Sequence, residues 1–472
     1  MSNGYFYFSQ PQNEPVLQFA PKSPEKLALK NALAKAKTVK MDIPMYIGSE
    51  EVRTGKKQEI RPPHETKHVL GHFHTGDASH MKAAIKASLN AREQWAHTPW
   101  VQRASIFLKA ADLLATKYRY DMLAATMLGQ SKNAFQAEID STCELIDFLR
   151  FNVHFLSDIY GQQPISGAGM YNRVEYRALE GFVLAVTPFN FTAIGGNLPT
   201  SAAMCGNVVV WKPANTQIYS ASLFMKILKE AGLPDGVINL VYVSGPVVGE
   251  VCFAHPDFAG VHFTGSTGVF QGMWKSIGEN ISKYKTYPRI VGETGGKDFV
   301  LVHPSANEDA VVAALARGAF EYQGQKCSAA SRAYLPDNLA AGIKKKLVAA
   351  VKSMKMGTTE DFTNFVNAVI DEKSFNNIKN YIDAAKKDKS CKILVGGKCD
   401  KSKGWFVEPT IIETSDPKYK TMCEEIFGPV LTIYTFKGTD FEKVCDLVDT
   451  TSEYALTGAV FSQDRYALEK AM

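Results

Sequence analysis

Short runs of apolar, often β-branched residues recur in the middle of the chain, as strands of repeated βαβ units do. Residues 221–232, which lie between two of these runs, place Leu223, Ile227 and Leu228 on one side of a helix. Near-continuous apolar strands that alternate with helices predict a parallel sheet covered on both faces. The sequence therefore indicates an α/β fold with ligand sites at the carboxyl ends of the strands. The runs are 182–186, 208–211, 237–243 and 260–263.

Less regular regions flank this core. Residues 1–75 show no clear periodicity and are predicted to be irregular, whereas Asp77 is a candidate cap for a helix that follows it. Further helices are predicted over 104–125 and 134–156, and further strands over 299–303, 331–335 and 430–436.

Composition excludes several classes of protein. The 472 residues carry 53 basic and 48 acidic side chains, and a net charge of +5 gives no argument for nucleic-acid or membrane binding. No run of about 18 apolar residues exists, so no transmembrane helix is expected. The eight cysteines form no CxxC pair and no zinc-like cluster, which predicts free thiols and no metal site. The first Lys or Arg is Lys22, so no secretory signal or evident presequence is predicted.

Two polar residues follow the first two strands directly. Asn190 comes after a Thr-Pro turn, where its amide could donate to a developing oxyanion or form an ordinary Asx turn. Lys212 ends the second strand, where its ammonium could hold ribose hydroxyls or phosphate. It could equally extend to solvent from a strand end.

A Gly- and hydroxyl-rich turn at 264–268 follows another strand and opens a helix. Backbone N–H groups at such a helix start favour anions, so the turn is a candidate phosphate cradle. A simple helix cap explains the pattern nearly as well, and the GxGxxG dinucleotide fingerprint is absent from the sequence.

Two further segments carry a carboxylate and a thiol. Glu293 lies among glycines that would let a ligand approach closely, and a carboxylate in a tight site can serve as a general base. Cys327 follows a Gly-Gln-Lys turn, whose cation would lower the thiol pKa, although a lone cysteine is more often structural. No single segment decides the function.

Taken together and in this order, the segments resemble the NAD(P)-dependent aldehyde dehydrogenase superfamily. The matching stretches are PFNF, WKPA, FTGST, GETGGK, GQKCSA and EEIFGP, which span 188–429. Finer matches, such as GQQPISG at 161–167 and AEIDSTCELIDFLRFN at 137–152, point to the branch that oxidises L-glutamate 5-semialdehyde in proline catabolism. This resemblance implies a NAD-dependent enzyme that works through a cysteine thiohemiacetal and thioester.

The resemblance assigns roles to the candidate residues. Cys327 would be the nucleophile, Asn190 the oxyanion donor and Glu293 the base that activates water. A cysteine hydrolase, the weaker alternative, would need a His partner that the motifs do not supply. The cofactor NAD would be held by Thr187, Lys212, Asn215, Gly265, Ser266, Thr267, Gly268, Val269, Glu425 and Phe427.

Some of these assignments leave alternatives open. Asn215 stands where many superfamily members have Glu, so NAD is expected but NADP is less firmly excluded. For the substrate, the resemblance implies Glu144 at its amino group, Ser328 at its carboxylate and Phe191 along its aliphatic chain. Taken from the residues alone, Glu144 reads as a solvated helix carboxylate.

The resemblance also implies a domain organisation and a setting. It predicts an aldehyde-dehydrogenase-like α/β fold, with open parallel sheets in a cofactor domain and in a catalytic domain, and a small oligomerisation element. Residues 76–160 and 182–293 would bind NAD, 161–181 would form oligomerisation strands, and 294–472 would be catalytic. A homodimer in the mitochondrial matrix is implied for the family. Because the chain ends at Met472, before the family's substrate-anchoring loop and partner-pairing strand, a poorly active or regulatory short form is the alternative.

Overall fold

A computed structural model describes residues 7–472, so the first six residues of the predicted irregular segment lie outside it. The chain divides into two compact units. The first comprises Met1–Arg61, Val69–Gln130 and Ala137–Glu293, and the second comprises Pro62–His68, Ser131–Gln136 and Thr294–Met472. The predicted boundaries of functional domains stay a prediction.

The first unit is built on a seven-stranded sheet. Its middle strands are almost wholly buried and rich in Val, because helices cover both faces of a parallel sheet. The strands are β1 Met41–Ile43, β2 Met45–Ile47, β3 Glu50–Val52, β4 Lys57–Ile60, β5 Gly71–His74, β6 Phe182–Thr187, β7 Val208–Pro213, β8 Ile238–Leu240, β9 Phe258–Thr264 and β10 Arg289–Glu293. The order in the large sheet is β10-β9-β6-β7-β8-β2-β3, with the first five parallel, and β1-β5-β4 form a separate sheet.

Helices of the first unit follow the predicted periodicity. Asp77 caps its helix by accepting a hydrogen bond from the backbone N–H of Ser79, as predicted. The predicted helix over 104–125 is two helices, because the chain turns at residues 116–118. The helices are α1 Pro24–Thr38, α2 Ala78–His97, α3 Trp100–Ala115, α4 Arg119–Gln130, α6 Glu144–Gly161, α7 Thr192–Met204, α8 Ile218–Ala231, α9 Gly245–Phe253 and α10 Thr267–Glu279. The short helix α5 Ala134–Ala137 lies almost wholly in residues of the second unit.

The second unit contains a six-stranded sheet with the order β13-β16-β17-β12-β11-β18. All neighbours are parallel except the β13–β16 pair. The strands are β11 Asp298–Val302, β12 Ala330–Pro336, β13 Cys391–Val395, β14 Cys399–Asp400, β15 Phe406–Val407, β16 Thr410–Thr414, β17 Val430–Phe436 and β18 Gly458–Phe461. Of these, β14 and β15 form a separate two-stranded sheet. The helices are α11 Glu308–Phe320, α12 Asp337–Ser353, α13 Glu372–Lys387, α14 Lys420–Cys423, α15 Phe441–Thr451 and α16 Arg465–Ala471.

Two expectations were wrong. Residues 7–75 are not irregular throughout, since α1 and five short strands lie there. Strands of three or four residues are too short to show a period in the sequence. The stretch 162–181 forms no strand within the described chain. A strand needs a hydrogen-bonded neighbour, and the segment pairs with no strand of the described residues. Its role in oligomerisation stays a prediction.

The predicted helix over 134–156 is interrupted by a π-helical turn at Glu138–Cys143. Such a turn inserts one residue and rotates the face of the helix that follows. The guanidinium of Arg119 donates to the carboxylates of Glu138 and Glu14, which ties the turn to the N-terminal segment. The turn therefore fixes where α6 begins, at Glu144.

Candidate active site

Residues at the carboxyl ends of β6, β7, β9 and β10 form the candidate cofactor region of the first unit. Because these strands are parallel and adjacent, their carboxyl ends lie along one edge of the sheet. Thr187, Lys212 and Glu293 lie in the last two residues of three of these strands. The sheet therefore gathers, at one edge, residues that are far apart in the sequence.

Thr187 and Asn190 lie in the turn between β6 and α7. The hydroxyl of Thr187 accepts a hydrogen bond from the indole N–H of Trp211 at 3.0 Å, which fixes the strand end. The side chain of Asn190 is 4% exposed. Phe191 is half-buried immediately before α7, and its carbonyl accepts from the amide of Gln217 at 2.8 Å. The turn is thus held by side chains of the neighbouring β7–α8 connection.

Lys212 is half-buried at the end of β7. Burial lowers the pKa of its ammonium, because a low-dielectric setting disfavours the charged form. Asn215 is exposed and opens the short turn Asn215–Gln217. The ammonium of Lys212 and the amide of Asn215 therefore lie three residues apart, where β7 leads into α8. Both groups can form hydrogen bonds with the hydroxyls of a ligand.

The turn from β9 to α10 has the properties of a phosphate cradle. Ser266 precedes the helix, and its side chain makes no capping hydrogen bond. The hydroxyl of Thr267 is buried and makes no hydrogen bond with any described residue. A β-carbon at Gly268 would have nothing within 4 Å, so this surface is open. Val269 is exposed on the same first turn. Free N–H groups of the helix start and the unpaired hydroxyl fit an anion.

Glu293 ends β10, one strand beyond this turn. Its backbone carbonyl accepts a hydrogen bond from the N–H of Gly265 at 3.1 Å, so the two segments are joined directly. Its side chain is exposed, and its carboxylate makes no hydrogen bond or ion pair with any described residue. Gly292 lies against the ring of Phe270, because a β-carbon added at Gly292 would lie 2.1 Å from that ring.

Glu144 is the first residue of α6 and is partly buried. Helix α6 packs closely on α7, because a β-carbon at Gly196 would lie 2.7 Å from the side chain of Leu145. Since Phe191 directly precedes α7 and Glu144 begins α6, the two predicted substrate residues of this unit lie at the starts of packed neighbouring helices.

In the second unit, Cys327 follows an unusual turn. Tyr322, Gln323 and Gly324 are successive residues with left-handed backbones, at φ values of 50°, 56° and 65°. Such conformations cost about 1–3 kcal/mol each for non-glycine residues and persist only when the surroundings enforce them. The thiol of Cys327 is partly exposed, and Ser328 is exposed beside it.

Two glutamines, which sequence reasoning missed, hold this turn. Gln323 is fully buried, and its amide donates to the carbonyl of Ala368 at 2.8 Å and accepts from the N–H of Asn367 at 2.9 Å. Gln325 accepts from the N–H of Ile370 at 2.8 Å. The signal that could have found them is their position on both sides of Gly324, in a segment too polar for a core strand.

Glu425 and the Gly295–Gly296 pair contact each other. The carboxylate of Glu425 accepts a hydrogen bond from the N–H of Gly296 at 3.1 Å. A β-carbon at Gly295 would lie 2.2 Å from that carboxylate, and one at Gly296 would lie 2.5 Å from the carbonyl oxygen of Cys327. Both glycines are therefore required for a carboxylate and a nucleophile to approach the same backbone.

Phe427 has a left-handed backbone, with φ of 57°, in the loop after Glu425. The next residue is Gly428. A β-carbon added at Gly324 would lie 2.2 Å from the carbonyl oxygen of Gly428. The loop that carries the predicted nicotinamide-ribose residue is thus packed against the turn that carries the predicted nucleophile, both within the second unit.

Polar groups at a sheet edge, a helix start suited to pyrophosphate and a thiol on an enforced turn define a dehydrogenase with a covalent step. Residues 51–472 match the aldehyde dehydrogenase family. The chain belongs to this family, and its α/β fold is of the aldehyde dehydrogenase kind. It is 53% identical, over 464 residues, to delta-1-pyrroline-5-carboxylate dehydrogenase, mitochondrial, of Dictyostelium discoideum, covering 98% of this chain and 83% of that protein.

Other relatives agree. The mitochondrial delta-1-pyrroline-5-carboxylate dehydrogenase of Homo sapiens is 47% identical over 460 residues, covering 97% of this chain and 82% of that protein. Among solved structures, the delta-pyrroline-5-carboxylate dehydrogenase of Mycobacterium tuberculosis bound with NAD has a TM-score of 0.95 at 45% identity, covering 100% of this chain and 87% of that one. Across residues 7–472, no helix has the length and apolarity needed to span a bilayer.

Proposed function

We propose that this protein oxidises L-glutamate 5-semialdehyde, formed from 1-pyrroline-5-carboxylate, to glutamate in proline catabolism with NAD as the oxidant. The observation that carries the proposal is the left-handed turn before Cys327, packed against the loop of Glu425. The high identity to enzymes of that name along nearly the whole chain supports the choice of substrate.

The reaction needs a nucleophile that can leave again, and a thiol meets this need. The thiolate of Cys327 adds to the aldehyde carbon, and the carbonyl oxygen becomes an oxyanion. The amide of Asn190 and the backbone N–H of Cys327 donate hydrogen bonds to this oxygen, which stabilises the developing charge. When bound, NAD supplies the hydride acceptor that converts the thiohemiacetal to a thioester.

Glu293 completes the cycle. Its carboxylate takes a proton from water, the resulting hydroxide adds to the thioester carbon, and the carbon–sulfur bond breaks. Glutamate leaves, and the thiolate of Cys327 is regenerated. Because Glu293 is exposed at the end of a strand, its side chain can reach water without breaking a contact in the described structure.

The residues of the first unit fit a dinucleotide. We assign the pyrophosphate to the Gly265–Val269 turn, in which the hydroxyl of Thr267 lacks a partner among the described residues. Lys212 and Asn215 would hold the adenosine ribose, and Thr187 would lie against the cofactor. In the second unit, Glu425 would hold the nicotinamide ribose, with Phe427 packed near it.

Substrate recognition is assigned to three side chains. The carboxylate of Glu144 would pair with the substrate amino group, the hydroxyl of Ser328 would donate to its carboxylate, and the ring of Phe191 would line the aliphatic chain. A charged pair and a hydrogen bond to a charged group, each worth about 1.5–3 kcal/mol, would select an amino-acid aldehyde over a plain alkanal.

We further propose that the protein works in the mitochondrial matrix, since several relatives are named as mitochondrial. A homodimer is proposed from the family, with 161–181 contributing to its interface. The comparisons lend no support to a poorly active or regulatory short form.

The function is tested by NADH formation. Purified protein is supplied with NAD and with 1-pyrroline-5-carboxylate, propanal or succinate semialdehyde as alternative substrates. The proposal expects the highest kcat/KM for 1-pyrroline-5-carboxylate and glutamate as the product. Equal or better turnover of propanal would contradict the substrate assignment, and hydrolase activity without NAD would contradict the reaction.

A further inference from the structure

The N-terminal segment 8–17 runs along helix α6, antiparallel to it. In the second half of the helix, the imidazole of His154 contacts the carbonyl of Phe8 at 2.8 Å. At the other end, ahead of the first residue of α6, the backbone N–H of Leu17 donates to the carboxylate of Glu138 at 3.0 Å. The segment therefore spans both the helix and the π-helical turn before it.

Two hydrogen bonds from this segment hold the first turn of α6. The backbone N–H of Glu14 donates to one carboxylate oxygen of Asp147 at 2.8 Å, and the amide of Asn13 donates to the other at 2.8 Å. Asp147 lies three residues after Glu144, and residues at that spacing are neighbours on a helix surface. The segment therefore contacts the turn that carries the carboxylate assigned to the substrate amino group.

A largely buried ionic network connects the same segment to the π-helical turn. The carboxylate of Glu14 accepts hydrogen bonds from the guanidinium groups of Arg119 in α4, at 2.6 Å, and of Arg150 in α6, at 2.7 Å. Arg119 also donates to the carboxylate of Glu138, the first residue of the turn. The side chains of Glu14 and Arg119 are 11% and 7% exposed, so solvent screens their attraction little. One carboxylate of the N-terminal segment therefore links α4, α6 and the turn.

The π-helical turn sets the face of α6 on which Glu144 lies. It inserts one residue into the helical path and so rotates the helix that follows by about 100°, the angle that one residue spans in an α-helix. A binding side chain must be held within about 0.5 Å of its productive position by the residues around it. The contacts of the N-terminal segment with the turn and with Asp147 supply this support.

We propose that Glu14 is a positioning residue for substrate recognition, which holds the start of α6 so that Glu144 meets the substrate amino group. The choice of an amino-acid aldehyde over a plain alkanal then depends on the N-terminal segment. That segment lies outside residues 51–472, which match the aldehyde dehydrogenase family, as a device for one substrate class can. This inference rests on the proposed function, because it requires that Glu144 binds the amino group.

The test compares steady-state kinetics with 1-pyrroline-5-carboxylate and with propanal in Glu14→Gln, which keeps the side-chain length but removes the charge. We expect KM for 1-pyrroline-5-carboxylate to rise about tenfold, as the partial loss of one charged contact does, with kcat changed less. The kcat/KM for propanal should stay within about twofold of the wild type, because propanal has no amino group to be bound.

The contradicting results of this experiment are equally specific. Equal losses with both substrates, which a merely structural role would produce, or an unchanged KM for 1-pyrroline-5-carboxylate would overturn the inference. Glu250→Gln removes an exposed carboxylate from α9 and is the matched control, which should leave both substrates unaffected.

A double-substitution cycle asks whether Glu14 acts through Glu144. If it does, Glu14→Gln added to Glu144→Gln should raise KM for 1-pyrroline-5-carboxylate no further, because the contact that it positions is already lost. Losses that multiply in the double variant would show an independent effect and would also overturn the inference.

Folding and the substrate assignment are checked separately. If Glu14→Gln does not fold, as judged by thermal unfolding, Asn13→Ala carries the same test, since it removes an exposed hydrogen bond to Asp147 and leaves the ionic network intact. If Glu144→Gln keeps the wild-type preference for 1-pyrroline-5-carboxylate, the substrate assignment of the proposed function fails, and this inference with it. A preference lost in Glu144→Gln but kept in Glu14→Gln overturns the inference alone.

Discussion

Cys327 differs from the other cysteines of the chain through its neighbours. The thiols of Cys143 and Cys252 are buried, and burial raises their pKa values well above the ordinary value, so they are poor nucleophiles. Cys327 is instead partly exposed, after a turn that Gln323 and Gln325 hold in a strained conformation. A fixed turn restricts where the thiol can stand, which favours attack on a bound aldehyde.

Replacing the nucleophile tests this assignment. Cys327→Ala is expected to lower kcat for aldehyde oxidation by a factor of about 10⁴ or more, because no other step can form the thioester. The Kd for NAD should change less than about twofold, since the assigned cofactor residues are untouched. Cys445→Ala, a partly exposed thiol on α15, is the control and should retain activity. Activity of Cys327→Ala near the wild-type level would refute the role.

Lys212 gives a prediction about alkaline pH. Burial lowers its pKa, so its charge is lost as pH rises, at a pH below the ordinary lysine value of about 10.4. We therefore expect the Kd for NAD of the wild type to rise at alkaline pH, before the pH reaches the ordinary lysine pKa. Lys212→Met should bind about tenfold more weakly near neutral pH, with little alkaline dependence. Fluorescence titration measures both, with exposed Lys226→Met as the control.

At the scale of elements, the sequence predicted the strands best where burial was continuous. Phe182–Thr187, Val208–Pro213 and Val430–Phe436 agree with their apolar runs within two residues, because a strand covered on both faces needs β-branched side chains throughout. The edge strand Arg289–Glu293 was missed, because it is mostly exposed and contains Arg, Gly and Glu. Its end is nevertheless where Glu293 was expected to act.

The sequence motifs identified the candidate site residues. They did not identify the residues that hold those side chains in place. Gln323 and Gln325 form hydrogen bonds with backbone groups at 367–370, more than 40 residues away. The local sequence contains no pattern that predicts such contacts. The π-helical turn before Glu144 was also missed, because it inserts one residue into an otherwise regular helical pattern.

The close contact between Gly324 and Gly428 makes an element-scale prediction. A β-carbon at Gly324 would lie 2.2 Å from the carbonyl oxygen of Gly428, on a backbone with φ of 65°. Gly324→Ala should therefore destabilise the protein by about 2 kcal/mol or more and reduce kcat, because the nucleophile turn must move.

The matched control for this prediction is Gly272→Ala in α10, where a β-carbon would meet nothing within 4 Å. Because alanine favours a helix, this variant should gain up to about 1 kcal/mol. Thermal unfolding and steady-state kinetics measure both variants. Equal stability of Gly324→Ala and the wild type would show that the contact is not required.

At the scale of the whole molecule, sequence order and spatial order differ. Residues Pro62–His68 and Ser131–Gln136 belong to the second unit, although both lie far from it along the chain. The N–H of Trp405 donates to the carbonyl of Pro63 at 3.0 Å, and the imidazole of His64 contacts the hydroxyl of Ser131 at 3.0 Å. Such pairings arise from tertiary packing, which no local pattern encodes.

The proposed reaction has two stages, with acylation assigned to Cys327 and hydrolysis to Glu293. Glu293→Gln should separate the two halves, because it removes the base but leaves thiol attack and hydride transfer intact. Rapid mixing with NAD and 1-pyrroline-5-carboxylate should then give a burst of about one NADH per site, followed by slow turnover. Exposed Glu279→Gln should show no such burst.

The most direct measurement is mass spectrometry of the Glu293→Gln protein quenched in acid during that burst. The account predicts a mass increase equal to one glutamyl group, located on the peptide that contains Cys327 and removed by hydroxylamine. A protein that forms NADH in the burst but carries no acyl group, or carries it on another residue, would contradict the account.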